Sequence, residues 1–228
     1  MANTAHTIAN LPTLPATSAT FLIAGWVRSQ NVFQGFTILQ DTGAGGLSVA
    51  VTGNSTTQMT WTASGRDNTS AAIFSLTAPV AIPTFGAWTS FAISGDTSTE
   101  TVQLLVNTSL QSISPVFATN HEVAYFPSSD PWTIGPPYNP GIGVDMSDFR
   151  FGAGEGFFDL SSSTNVAKLF VVGGNHPVFW GVNGALPTGL EPAVYLTGNH
   201  TTYPNNAGSG GSFTVTGPAL VDYTPGPT

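Results

Sequence analysis

Apolar and polar residues alternate along much of the first 110 positions, which is the spacing of half-buried β-strands. The most regular stretch runs from Trp88 to Val106, where two alternating runs carry their apolar side chains at Phe91, Ile93, Val102, Leu104 and Val106. The residues from Gly95 to Thr99 lie between the runs, and their glycine, aspartate and hydroxyl side chains suit a turn. The pattern predicts an antiparallel hairpin whose apolar positions are buried.

Further strands are predicted where alternating runs are separated by Gly-rich or polar turns. The predicted strands are Phe21–Arg28, Thr37–Asp41, Leu47–Thr52, Met59–Ala63, Ile73–Leu76 and Trp132–Gly135, and the resemblance described below implies a closing strand at Val166–Val172. No capped run has apolar residues at i, i+3, i+4 and i+7, so almost no helix is expected. Residues 1–20 are polar, carry two prolines, and are interpreted as an extended arm rather than a strand. The prediction is an all-β protein, a sandwich of two antiparallel sheets.

The segment from Val116 to Val144 combines aromatic residues with five prolines. Proline removes a donor from a β-ladder, so most of this segment is predicted to be loop. A stiff aromatic loop is a candidate glycan site, with three rings for stacking and three acceptors for sugar hydroxyls. The rings are Tyr125, Trp132 and Tyr138, and the acceptors are Asp130, Asn139 and Asp145. The alternative, which we favour, is that the aromatic side chains pack against the sheet edge or a neighbouring subunit.

The order of short motifs resembles that of laminin-G-like (concanavalin A-like lectin) domains across residues 20 to 172. The matching stretches begin with Phe21 to Arg28, then Gly86-x-Trp88-Thr89 with the hairpin, then Trp132-Thr133-Ile134-Gly135, and then Phe158-Asp159 followed by Ala167 to Phe170. The second aspartate of the family's closing motif is missing here. The resemblance implies a jelly-roll topology and a lectin-like sandwich.

The C-terminal part has a second resemblance. Pro192 to Gly198, followed by Asn206 to Gly217, is similar to an ending found on bacteriophage structural proteins, often behind lectin-like domains. Three regions are therefore expected: an arm at 1–20, a lectin-like sandwich at 21–172, and an extension with added strands and a Gly-rich turn at 173–228.

Composition narrows the possible functions. The 228 residues include 4 Lys and Arg, 12 Asp and Glu, and no cysteine, which gives a net charge of −8. Nucleic acid needs a basic surface, and four basic residues cannot form one. The absence of cysteine excludes disulfides and thiolate metal sites. The sequence shows no signal peptide and no apolar run that approaches a membrane span.

Candidate catalytic and metal-binding groups are scattered. The four glutamates, Glu100, Glu122, Glu155 and Glu191, are too far apart to form the carboxylate strand motif of related glucanases. The four histidines stand singly, without metal-ligand spacing. Five aspartates could supply oxygen ligands to calcium, but they form no compact ligand loop: Asp41, Asp130, Asp145, Asp148 and Asp159. The protein is predicted to be non-enzymatic, with neither metal nor cofactor.

Two classes of function fit best. The first is a bacteriophage virion structural protein, located in the virion as a capsid decoration, head-spike or tail component. Its partners would be other copies of itself, a major capsid or tail protein, and a host surface glycan. The low content of charged residues favours this class, because surfaces that meet other subunits are depleted of charge. The alternative is a carbohydrate-binding adhesin module, and a glycoside hydrolase is the weakest candidate.

Overall fold

The computed structural model describes residues 5–8, 10–29, 35–41, 43, 46–55, 57–81, 86–118, 121–125, 131–135, 144–171, 178–198, 202 and 205–216. Sixteen strands in these ranges form two large antiparallel sheets and one two-stranded ribbon. The strands are β1 Ala5–Ile8, β2 Thr17–Ser18, β3 Thr20–Ser29, β4 Gly35–Asp41, β5 Gly46–Ser55, β6 Gln58–Arg66, β7 Ala72–Ala81, β8 Thr89–Asp96, β9 Thr101–Val106, β10 Ser109–Leu110, β11 Val116–Phe117, β12 Val123–Ala124, β13 Trp132–Ile134, β14 Val144–Ala153, β15 Val194–Leu196 and β16 Thr214–Thr216.

The larger sheet has eight strands in the order β11-β7-β6-β5-β4-β13-β1-β16, and the smaller has six in the order β10-β9-β8-β3-β14-β15. Their inner faces enclose one core, to which both sheets contribute alternate residues. In strand β6, for example, buried side chains alternate with more exposed ones along the whole strand, because successive side chains point to opposite faces of a sheet. The predicted all-β sandwich of two antiparallel sheets is thus confirmed.

The hairpin predicted between Trp88 and Val106 is formed by β8 and β9, and its five apolar positions are all buried. A single 3-10 turn, Thr97–Thr99, connects the strands. The Asp96 side chain accepts from the Ser98 backbone N–H at 3.0 Å and so caps the turn. Trp26 is also buried, whereas Trp88 is only partly buried.

The smaller sheet carries a second apolar layer on its outer face. Helix α1, Ser163–Leu169, and the segment 178–195 cover the outward residues of β3, β8 and β9. Trp26 meets Phe170 edge-on, and Trp180 donates its indole N–H to the Leu169 carbonyl at 2.9 Å. The two outer faces therefore differ: the small sheet is covered, whereas the central strands of the large sheet carry polar, partly exposed residues on theirs.

The predicted closing strand Val166–Val172 is wrong for its described part, where the structure has helix α1. The Ser162 side chain caps the helix, and Val166, Leu169 and Phe170 fall on one helical face. That face packs on the second apolar layer, so tertiary packing decides between helix and strand.

The prediction of an extended arm at residues 1–20 is wrong where the structure describes it. Strand β1 pairs with β13 and with β16, and β2 pairs with β12. Leu11 and Leu14 are buried in the core. Strands β15 and β16, which lie in the predicted C-terminal extension, form one edge of each sheet. Both ends of the described chain are thus built into the sandwich, while the proposed boundaries at residues 20 and 172 stay predictions.

Candidate functional site

The outer face of the large sheet carries a continuous row of hydroxyl and amide side chains. Strand pairing places one of them on each of six neighbouring strands: Thr7, Thr133, Gln40, Ser48, Ser64 and Ser75. A parallel row contains Thr37, Ala50, Thr62 and Thr77. With strands about 4.8 Å apart, the six-residue row is about 24 Å long.

This face is almost without charge. In the described strands β4 to β7, the charged residues are Asp41 and Arg66, and both lie at strand ends. Small hydroxyl side chains alternate with core residues in β5, β6 and β7, which keeps the outer surface of these strands low and polar. The surface can exchange hydrogen bonds with a ligand without desolvating a buried charge.

A polar pocket lies at one end of the face, between the ends of β4, β5 and β6. Its volume is about 310 Å³, and its polar lining comes from Gln40, Asp41, Ser48, Ser64 and Arg66. One carboxylate, one guanidinium, one amide and two hydroxyls give the pocket both donors and acceptors. Pockets of roughly 300 Å³ are at the lower end of those that hold small molecules.

Two turns hold the charged groups of the pocket in place. The backbone N–H of Gly43 donates to Asp41 Oδ1 at 2.8 Å, and Gly46, at a φ of 88°, lies against the Asp41 side chain. Any Cβ at Gly46 would overlap that carboxylate. Arg66 donates from Nη1 to the Ser70 carbonyl at 2.8 Å. The carboxylate position thus depends on a glycine in the β4–β5 turn.

The structure places Tyr125 and Trp132, two of the predicted stacking residues, inside the sandwich. Both are fully buried, their ring centroids are 6.3 Å apart, and Trp132 also packs 5.3 Å from Phe151. Burial raises the pKa of the Tyr125 hydroxyl, which has no hydrogen-bond partner among the described residues. Neither ring presents a face to solvent. Both rings belong to the core between the two sheets, so they pack against a sheet as in the alternative interpretation, although not at a sheet edge.

Asp145, a predicted sugar acceptor, is also buried. It pairs with Arg28 on the neighbouring strand, with Arg28 Nε 2.7 Å from Asp145 Oδ2. The guanidinium also lies 5.0 Å above the Trp88 ring. Asp130, Tyr138 and Asn139 lie outside the described residues, so the predicted glycan role of their loop stays a prediction.

Neither a cluster of metal-ligand residues nor a membrane-spanning helix occurs in the described ranges. No group of three or more His, Asp or Glu residues there could hold a metal ion. None of the helices in the described part of the chain is long and apolar enough to cross a membrane. Sequence reasoning missed the hydroxyl rows, although the alternation of Ser and Thr at 60–64 and 75–77 was visible; strand register was needed to align them.

The C-terminal motif is a structural unit. The Asn206 side chain accepts from the backbone N–H of Tyr195 at 2.7 Å and of Gly208 at 3.0 Å, and donates to the Ala193 carbonyl at 2.8 Å. A Cβ at Gly208 or Gly210 would lie 2.6 Å from a backbone carbonyl oxygen. The motif therefore fastens a Gly-rich turn to the start of β15.

A second buried ion pair lies under the small sheet's outer layer. The fully buried Arg150 pairs with Glu155 and donates to the hydroxyl of Thr188 at 2.8 Å and to the carbonyl of Gly184 at 3.1 Å. Burial lowers the pKa of the Arg150 guanidinium, and the Glu155 carboxylate opposes that effect. Besides Glu155, the groups that Arg150 binds belong to the 183–190 segment. The ion pair therefore fixes that segment rather than forming a ligand site.

The chain matches no known protein family and no curated protein. Among solved structures it is similar to a heptameric SAP-like pentraxin from Limulus polyphemus, at 12% identity and a TM-score of 0.47, over 65% of this chain and 68% of that one. It is also similar to a Ruminococcus gnavus sialidase CBM40 bound to sialyllactose, at 9% identity and 0.38, over 57% and 76%. A third similar structure is an alginate lyase from Alteromonas sp. 272, at 9% and 0.35, over 59% and 71%.

Proposed function

We propose that this protein is a non-catalytic carbohydrate-binding module that binds neutral polysaccharide on the outer face of its large sheet. The observation that carries the proposal is the uncharged row of hydroxyl and amide groups, three of which, Gln40, Ser48 and Ser64, also line the polar pocket. Sugar hydroxyls are donors and acceptors at once, and this surface offers both across neighbouring strands. The spacing of the strands is comparable to the length of one sugar unit in an extended chain.

The negative net charge of the protein favours neutral over acidic polysaccharide as the ligand. The chain carries a net charge of −8, and Arg66 is the one basic residue lining the pocket in the described part of the chain. An anionic polymer would meet general repulsion and a single compensating cation. A neutral polysaccharide is not repelled and needs no compensating cation.

The proposal excludes hydrolysis because of the carboxylate count. Glycoside hydrolysis ordinarily uses two carboxyl groups about 5–10 Å apart on either side of the scissile bond. Of the described residues that line the pocket, Asp41 is the one carboxylate. A surface without an aromatic platform binds weakly per site, so useful binding requires several modules on one polymer.

The test measures binding of immobilised neutral glucans, mannans and galactans, with alginate as the acidic comparison. We expect the wild type to bind one or more neutral polymers, and Ser64→Trp to abolish binding by placing a bulky ring across the row. Ser112→Trp, at an exposed serine between β10 and β11 that lines neither the hydroxyl row nor a pocket, is the matched control. No neutral polymer bound, or equal binding by the Ser64→Trp variant, would refute the proposal.

The bacteriophage virion role is kept as a second proposal. It is supported by the tail motif at 192–198 and 206–217 and by a chain in which 7% of residues are charged. A glycan-binding sandwich on a particle would serve attachment to the host surface. Co-purification with intact particles at a fixed ratio to the major shell protein tests it, and loss of the protein from washed particles would contradict it.

A further inference from the structure

The segment 178–190, named here the apolar loop, exposes four large hydrophobic side chains within 12 residues. Their exposed fractions are 68% for Phe179, 85% for Val182, 65% for Leu186 and 51% for Leu190. Single apolar residues are normal on a protein surface, but four exposed within one short loop exceed that background and indicate an interaction site. No residue of the loop is charged.

The apolar loop is held rigidly. Trp180 is fully buried and bonded to the Leu169 carbonyl, and Arg150 binds the carbonyls of Gly184 and Leu190. These anchors fix the backbone of the loop and bury Trp180. The neighbouring apolar side chains are therefore held on the outer side of the loop. A rigid surface loses little conformational entropy when it binds.

An apolar pocket lies at the opposite edge of the same sheet. Leu105, Leu110, Leu160 and Val166 line it, with hydroxyl groups at its margin, and its volume is about 250 Å³. The described lining carries no charge, and the space is enough for one large apolar side chain. The pocket lies at β9 and β10, whereas the loop lies over β14 and β15 and meets the C-terminal end of helix α1, whose Val166 lines the pocket.

We propose that copies of this chain associate head to tail, with the apolar loop of one copy inserted into the apolar pocket of the next. Both surfaces are uncharged and apolar, one projecting and one recessed, and the four loop side chains are exposed rather than inserted in the pocket of their own chain. Such a contact closes into a ring if its rotation allows and otherwise grows into a filament. It also leaves the outer face of the large sheet free, so each copy keeps its proposed glycan surface.

Sedimentation of the full chain from micromolar concentrations to about 1 mM tests the proposal. We expect species larger than monomers to accumulate with concentration. The loop variant Phe179→Ser, Val182→Ser and the pocket variant Ser163→Trp should each associate at least about 10-fold more weakly, because each loses burial of one or more apolar side chains. Val116→Ser, which alters a valine that is 67% exposed on the large sheet, is the matched control.

Mixing the two variants gives the decisive result. The loop variant keeps its pocket and the pocket variant keeps its loop, so a mixture should form a 1:1 dimer that does not grow further. Circular dichroism confirms that each variant is folded. A monomeric wild type over the whole range, full association by Ser163→Trp alone, or a mixture that stays monomeric would overturn the proposal. Because no glycan is used, its failure is distinct from failure of the proposed function.

Discussion

Replacing Arg150 by methionine tests how the apolar loop is held. Arg150 is fully buried, pairs with Glu155, and donates to Thr188 and to the carbonyls of Gly184 and Leu190. Methionine fills much of the volume but supplies no donor. The change leaves the Glu155 carboxylate, whose side chain is 5% exposed, without its counter-charge.

The expected cost is large because a buried charge stays behind. Breaking a buried ion pair by removing one partner costs about 3–5 kcal/mol. For a chain of this length each 1 kcal/mol lowers the melting temperature by about 2–4 °C, so a fall of about 6–20 °C is expected. Arg66→Met, which alters an exposed arginine, should cost less than about 1 kcal/mol.

Urea denaturation of a double-mutant cycle separates the ion pair from packing. Adding Glu155→Leu to Arg150→Met removes the unpaired carboxylate, and stability should return to within about 2 kcal/mol of the wild type. The single variant should also lose the concentration-dependent association, since the apolar loop is no longer fixed. A cost below about 1 kcal/mol for Arg150→Met, or no recovery in the double variant, would refute the reasoning.

Three further predictions follow from single buried or capping groups. Tyr125→Phe should stabilise the fold by about 1 kcal/mol, because it removes a buried hydroxyl that lacks a partner. The variant should also lose less stability above pH ~10. In the wild type the folded-state pKa of Tyr125 is raised, so stability falls as the pH rises past the pKa of tyrosine in the unfolded chain. Equal pH profiles for both proteins would contradict this. Asn206→Ala should cost about 2–4 kcal/mol in thermal unfolding through three lost hydrogen bonds, whereas the exposed Asn205→Ala changes little; similar losses in both would contradict it. The hydrogen bonds from Ser161 lower the pKa of Asp159, so its contribution to stability should be present above pH ~4 and be lost below it, and an acid titration of Asp159→Asn that shows the same loss would refute this.

The strands were predictable because their side chains have a fixed period. Alternation placed β3 and the β8–β9 hairpin, and the burial of Phe91 and Leu104 followed from it. Turn residues such as Gly95 and Asp96 marked the ends of the runs. This information is local, since a half-buried strand must alternate wherever it lies in the sheet.

Helix α1 and strand β1 were not predictable in this way. The strand at 166–172 is implied only by the resemblance, whereas Ala167, Lys168 and Leu169 favour a helix, and the apolar layer over Trp26 selects it. Strand β1 is short and polar, and it forms because β13 and β16 lie on either side of it. In both cases the deciding contacts come from residues distant in sequence.

The candidate site, like the fold, was only partly predictable from the sequence. The sequence by itself determined an all-β chain, poor in charge, whose strands alternate core residues with serine and threonine. Only the tertiary structure decided that Tyr125 and Trp132 lie in the core, because the loop aromatics fill the space between the sheets. It also aligned the hydroxyl row through strand register, and it left the row uncovered because helix α1 and the segment 178–195 pack on the other sheet. Both features depend on contacts between residues distant in sequence.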